Sequence, residues 1–151
     1  MIDGGAAREL VARSCLALDE EDGDGFLALC ADDFRYRIEV ASPELRRTMV
    51  WLEHDGDGLR ELLGSLPEHL RRSGRLLRQL GASVSLSEDP QELRLGTSFS
   101  VVHTRLDGRS VLWAAGRYRD VIGLRGDTLR LCARTVDLHT RDLGIGSHVP
   151  L

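Results

Sequence analysis

The last third of the chain, from Leu93 to Leu151, constrains the fold most, because it reads as three long β-strands in succession followed by an apolar tail. Leu95, Thr97, Phe99, Val101 and His103 alternate with Ser98, Ser100, Val102 and Thr104, the two-residue repeat of a strand whose faces meet different surroundings. Asp107-Gly108 is a turn signal, since glycine accepts positive φ. Beyond it, Val111, Trp113 and Ala115 alternate with Leu112, Ala114 and Gly116 as far as Tyr118 and Val121. A second turn at Arg125-Gly126-Asp127 leads into Thr128 to Leu138, where Leu129, Leu131 and Ala133 alternate with Arg130, Cys132 and Arg134. Consecutive antiparallel strands with so little reactive chemistry predict a sheet built for packing and assembly.

The first two thirds supply the partner layer. From Ala6 to Leu18, the positions of Leu10, Val11, Ser14, Cys15 and Leu18 form one stripe of a helix. Asp22-Gly23-Asp24-Gly25 stops it, and Phe26, Leu27, Leu29 and Cys30 predict a short second helix. Phe34, Tyr36, Ile38 and Val40 then alternate with Arg35, Arg37 and Glu39, a strand with one apolar and one charged face. Ser42-Pro43 interrupts it, and Arg47 to Glu53 resumes as a second strand. Asp57-Gly58 opens a helix in which Leu59, Leu62, Leu63 and Leu66 share a face, and Pro67 is expected to end or restart it. Arg71, Arg72, Arg75 and Arg78 follow as a charged segment, before a strand near Ala82 to Ser87. Helix, helix, strand, strand, helix and four strands make an α+β layout, with helices on one face of a curved, mostly antiparallel sheet. No internal repeat or linker divides it, and 151 residues suit one domain over the whole of 1–151.

Charge and thiol usage exclude several classes of function. A formal charge of −4 argues against a general nucleic-acid binder, which gains affinity by releasing counterions from phosphates. All 20 basic residues are arginine, so each cation carries a planar fork suited to carboxylates. Cys15, Cys30 and Cys132 are widely spaced and odd in number, as in a protein of a reducing compartment, and the cytoplasm is the expected location. The N-terminus lacks the basic and apolar regions of an export signal, and no window is apolar enough to span a membrane.

Motifs that bind metals or carry nucleophiles fail on spacing. Asp22-Gly23-Asp24-Gly25 and Asp55-Gly56-Asp57-Gly58 resemble the opening of a calcium loop. With the glycine at loop position six, however, Ala31 and Gly64 stand where a bidentate glutamate belongs. Acidic turns or helix starts are the better reading. The three cysteines have no histidine close in sequence, and His54, His69, His103, His139 and His148 make no short pair, so no metal site is expected. Gly-x-Ser-x-Gly is absent, and Gly144-Ile145-Gly146 has no following helix with which to cradle a phosphate. Tyr36, His103 and Trp113 occupy strand positions that could line an internal acid–base pocket, with core aromatics and a strand histidine as the plainer reading.

The order of elements resembles the nuclear-transport-factor-2-like, or ketosteroid-isomerase-like, superfamily, whose cystatin-like fold is a cone of curved sheet with N-terminal helices on its concave face. Such a cone holds either an enzyme pocket or a packed core. Leu18-Asp19-Glu20, Phe26 to Tyr36, Gly116-Arg117-Tyr118-Arg119-Asp120, Leu129 to Leu138 and the tail from Thr140 together resemble the small (β) subunit of Rieske-type ring-hydroxylating oxygenases. Ser42 to His54 and the tail are most similar to the methanesulfonate-monooxygenase type. The resemblance implies a structural subunit without catalytic residues. Its partner would be a catalytic large (α) subunit, in a three-plus-three hexamer, that carries the Rieske [2Fe-2S] cluster and mononuclear iron. Alone, the chain would self-associate as a dimer or trimer. Arg117, Tyr118, Arg134, Arg141 and His148 are the expected interface anchors, with intra-sheet ion pairs as the competing role for Arg117 and Arg134. The alternative is a free-standing isomerase, dehydratase or cyclase that works by acid–base catalysis.

Overall fold

A computed structural model describes residues 1–143 and 150–151, with side chains throughout except at 65–73 and 88. Aspartates start its helices. Asp3 accepts a hydrogen bond from the Ala6 amide at 2.9 Å at the head of α1 (Gly4–Asp19), and Asp22 accepts from Gly25 at 2.8 Å at the head of α2 (Gly23–Leu29). Asp55 accepts from Gly58 at 3.0 Å where α3 (Gly56–Ser73) begins. The two Asp-Gly-Asp-Gly runs are therefore helix starts, in which a carboxylate satisfies backbone N–H groups that the first turn leaves open. Asp24 falls within α2, which begins three residues before Phe26. The third helix also continues through Pro67, where an end or restart was expected, since one missing N–H removes a single rung of its ladder.

Among the described residues, six strands form one sheet in the order β2-β1-β6-β5-β4-β3. They are β1 (Cys30–Ser42), β2 (Arg47–His54), β3 (Arg75–Glu88), β4 (Glu92–Thr104), β5 (Ser110–Arg125) and β6 (Thr128–Leu138). Four pairings are antiparallel, and β1 lies parallel to β6. Every antiparallel pairing contains a bulge, which bends its strand and raises the local twist, so the sheet curls around α1. Phe34, Tyr36, Ile38 and Val40 are buried against Leu95, Phe99, Val101, Tyr118 and Ile122, and Leu10, Val11, Cys15 and Leu18 close the same core from α1. The stripe read from the sequence is the face α1 buries.

Two bulges change which way side chains point. Val121 pairs with Ala133 and Ile122 with Leu131, so Cys132 is the extra residue on β6. Alternation from Leu131 alone would turn Arg134 outward; the added residue turns it inward with Val136 and Leu138. On β5, Val101 pairs with Ala114 and Val102 with Leu112, which leaves Trp113 as the extra residue. The charged segment also resolves differently from expectation: β3 starts at Arg75, so Arg75 and Arg78 are strand residues and Arg78 is buried.

Gly74 joins α3 to β3 with φ of +108°, and a Cβ there would stand 2.1 Å from the Thr104 carbonyl oxygen. Both conformation and space demand glycine. Gly74→Ala should lower unfolding free energy by roughly 1–3 kcal/mol in urea titration, the range for a residue forced into strained backbone.

Candidate functional site

Arginines buried on two strands organise the space between the sheet and α1. Arg134 is fully buried on β6 and meets Asp120 of β5 through two bonds, Nε to Oδ1 at 2.7 Å and Nη2 to Oδ2 at 3.0 Å. Arg134 Nη2 also donates to Ser14 Oγ at 2.9 Å, and that hydroxyl donates to the Val11 carbonyl within α1. Its guanidinium lies 4.2 Å above the centre of the Tyr118 ring, which in turn stacks on Phe99 at 4.2 Å. Asp120 drives the Arg134 pKa upward against the opposing effect of burial, so the cation persists at every working pH.

Arg78 does the same on β3. Its backbone N–H and Nη1 both bond Asp19 Oδ1, at 3.0 and 2.7 Å, at the last residue of α1. Its Nη2 donates to the Pro150 carbonyl at 2.5 Å. The next residue completes the closure: the Leu151 N–H donates to Tyr36 Oη at 2.7 Å, and the Leu151 side chain is buried. Arg78 Nε, Tyr118 Oη and Arg134 Nη1 are buried without a protein partner among the described residues, and ordered water commonly satisfies such groups.

This arrangement offers little to acid–base chemistry. Both oxygens of Asp120 are occupied by Arg134, and burial pushes the Tyr36 phenol up to about 12, which keeps its proton in place. Tyr36, His103 and Trp113 do not converge. His103 and Trp113 are neighbours, with ring centres 6.5 Å apart, and Trp113 Nε1 donates to the Leu143 carbonyl at 2.8 Å. Tyr36 instead pairs across the parallel ladder with Arg134, and two strands, β6 and β5, separate its own strand from β4.

The expected interface residues divide into two groups. Tyr118 and Arg134 are fully buried within this chain, so neither presents a side chain to a partner; Arg134 takes the competing intra-sheet role. The bulge at Cys132 is the reason. Arg117 is exposed on β5, and Arg141 is exposed and bonds both oxygens of Glu44 at 2.9 and 2.7 Å. His148 lies outside the described residues, as do the side chains of Arg71 and Arg72. Sequence reasoning missed Asp19, Ser14 and Arg78 as members of the buried network. A signal was available for Asp120: an acid fourteen residues from Arg134 on a strand joined to it by a short turn.

Among the described residues, no group of three or more His, Cys, Asp or Glu could hold a metal ion. Burial pushes the Cys30 thiol up to about 12, and its Sγ donates to the Phe26 carbonyl at 3.4 Å.

Asp120→Ala should destabilise the chain by about 3–5 kcal/mol in denaturant titration, because Arg134 would remain charged, buried and unpaired; Asp120→Leu with Arg134→Met should recover much of that loss. Stability should also fall with alkali. The Tyr36 pKa is raised from 10 to about 12, so the folded state holds the proton more tightly, and its contribution is complete below pH 10 and is lost as pH rises to about 12. Tyr36→Phe should flatten that part of the stability–pH curve, as measured by urea midpoints.

No family model matches the chain. It is 34% identical over 134 residues to the β subunit of 2-aminobenzenesulfonate 2,3-dioxygenase from an Alcaligenes species, covering 89% of each chain. It is 30% identical over 155 aligned positions to the hydroxylase β subunit of methanesulfonate monooxygenase from Methylosulfonomonas methylovora, covering 97% of this chain and 86% of that one. In structure it superposes on the β subunit of benzoate 1,2-dioxygenase from Burkholderia mallei with a TM-score of 0.77, at 16% identity, over 99% and 98% of the two chains. The last likeness establishes the nuclear-transport-factor-2-like architecture, and the first two establish kinship: this chain belongs to the family of small (β) subunits of Rieske-type oxygenases.

Proposed function

We propose that the chain is a structural, non-catalytic subunit that supports assembly of a large oxygenase subunit, with the Rieske [2Fe-2S] cluster and the mononuclear iron both on that partner. One observation carries the reading. The interior, where a cone-shaped fold could place a pocket, is taken up by the chain's own Arg134–Asp120 pair and by the contact of Leu151 with Tyr36. An acid–base enzyme needs a free carboxylate or imidazole beside a bound substrate, and these residues are committed to each other. The three-plus-three hexamer, the cytoplasmic setting and a single domain over 1–151 belong to the same proposal. No helix among the described residues is long and apolar enough to cross a membrane.

Both relatives serve oxygenases named for a sulfonate, and an organosulfonate is accordingly the substrate class we assign to the complex, with recognition on the large subunit. Arg117 and Arg141 remain the proposed surface anchors.

Co-expression with the large subunit of the same organism tests this. The expected result is a brown, iron-containing complex with both chains in equal number, while the small chain alone binds no stoichiometric iron and turns over no substrate. Turnover by the isolated chain, or failure of the two to co-purify, would overturn it.

A further inference from the structure

The face of the sheet that points away from the helices is half charge ladder and half bare. On β1, Arg37 bonds Glu39 at 3.1 Å and Glu53 of β2 at 2.9 Å, and Arg119 of β5 reaches Glu39 at 2.8 Å. The ladder stops there. In the register, Val84 faces Gly96 and Gly96 faces Arg119; in the next row Ser98 faces Arg117, and Arg117 faces Asp137. Gly96 and Ser98 on β4 are small, so they form a floor between an apolar wall on β3 and a guanidinium wall on β5. The resulting trough has a volume of about 520 Å³.

The β3 wall is unusual for water. Val84 and Leu86 are 56% and 55% exposed, on a 14-residue strand at the edge of the sheet. Long apolar edge strands invite association, and soluble monomers blunt them with charge or cover them. Leu86 lies across the bare backbone of Gly96, where an added Cβ would stand 3.2 Å from its methyl groups. Opposite, Arg117 is exposed and makes no ion pair or hydrogen bond among the described residues, although Asp137 is its neighbour in register. An apolar strip facing a free guanidinium matches a segment that presents aliphatic or aromatic side chains on one side and a carboxylate on the other.

We infer that this trough seats an amphipathic, acidic segment of the oxygenase large subunit, its apolar side against Val84 and Leu86 and a carboxylate on Arg117. The inference rests on the assembly role proposed above and identifies the face that performs it. The apolar wall supplies desolvated area, and the guanidinium fixes direction and register, a division of labour common at interface centres.

The test co-expresses the tagged large subunit with wild-type chain, with Leu86→Asp, with Arg117→Glu, and with a control, Leu112→Asp, at a residue 70% exposed toward the other end of β5. Leu86→Asp and Arg117→Glu should each weaken association at least tenfold by biolayer interferometry, while Leu112→Asp leaves it unchanged. Residual binding of Arg117→Glu should also depend less on salt than wild type, which a folding defect would not produce. Circular dichroism verifies folding, and Arg117→Glu, a surface exchange, carries the test if Leu86→Asp misfolds. Wild-type association untouched by both substitutions would overturn the trough but leave the subunit role standing. Absence of wild-type association would overturn both. Self-association of the isolated chain that Leu86→Asp abolishes, with binding to the large subunit intact, would assign the trough to a second copy and overturn the inference.

Discussion

The bidentate bond between Arg134 and Asp120 is the constraint around which the rest of the chain is arranged. A charged pair removed from water is tolerable only when geometry is good and spare donors find partners. Here the fork geometry is met at 2.7 and 3.0 Å, Ser14 of α1 takes a further donor, and the Tyr118 face lies against the cation. The pair therefore ties the β5–β6 hairpin to α1, an element 120 residues earlier in the chain at the Ser14 contact. Apolar residues would fill the same volume without demanding one orientation of α1 on the sheet. The ion pair demands one, and Arg78 with Asp19 repeats the requirement at the last residue of the same helix.

With both arginines spent on holding the helix, the interior has little left for chemistry, and the informative surface of the molecule is the outside. Membership in the small-subunit family agrees with that division. Architecture alone does not decide between a pocket and a packed core; what these particular side chains are bonded to does.

Much of the architecture was legible in the sequence because one-sided burial leaves a simple trace. Phe34, Tyr36, Ile38 and Val40 alternate with charges since β1 has one face in the core, and α1 shows its stripe for the same reason. Arg134 was not legible as a core residue. A bulge adds one residue and reverses the phase of everything after it, and no local pattern in Leu-Cys-Ala-Arg announces the insertion. The start of β3 was hidden similarly: its first residues mix exposed Arg75 and Leu77 with buried Arg78, so alternation of hydrophobicity misleads where a buried cation takes an inward position. The parallel pairing of β1 and β6 left no trace, because ladder partners so far apart share no turn signal.

That pairing has a consequence for biosynthesis. The ribosome delivers β1 about a hundred residues before the strand that must flank it, so one edge of β1 stays open through most of translation, guarded only by the hairpin with β2. Non-local sheets of this type form slowly and present unfinished edges to other chains meanwhile. Productive folding waits on the delivery of β6, and a nascent chain halted before Thr128 would carry a sheet split into two unconnected halves.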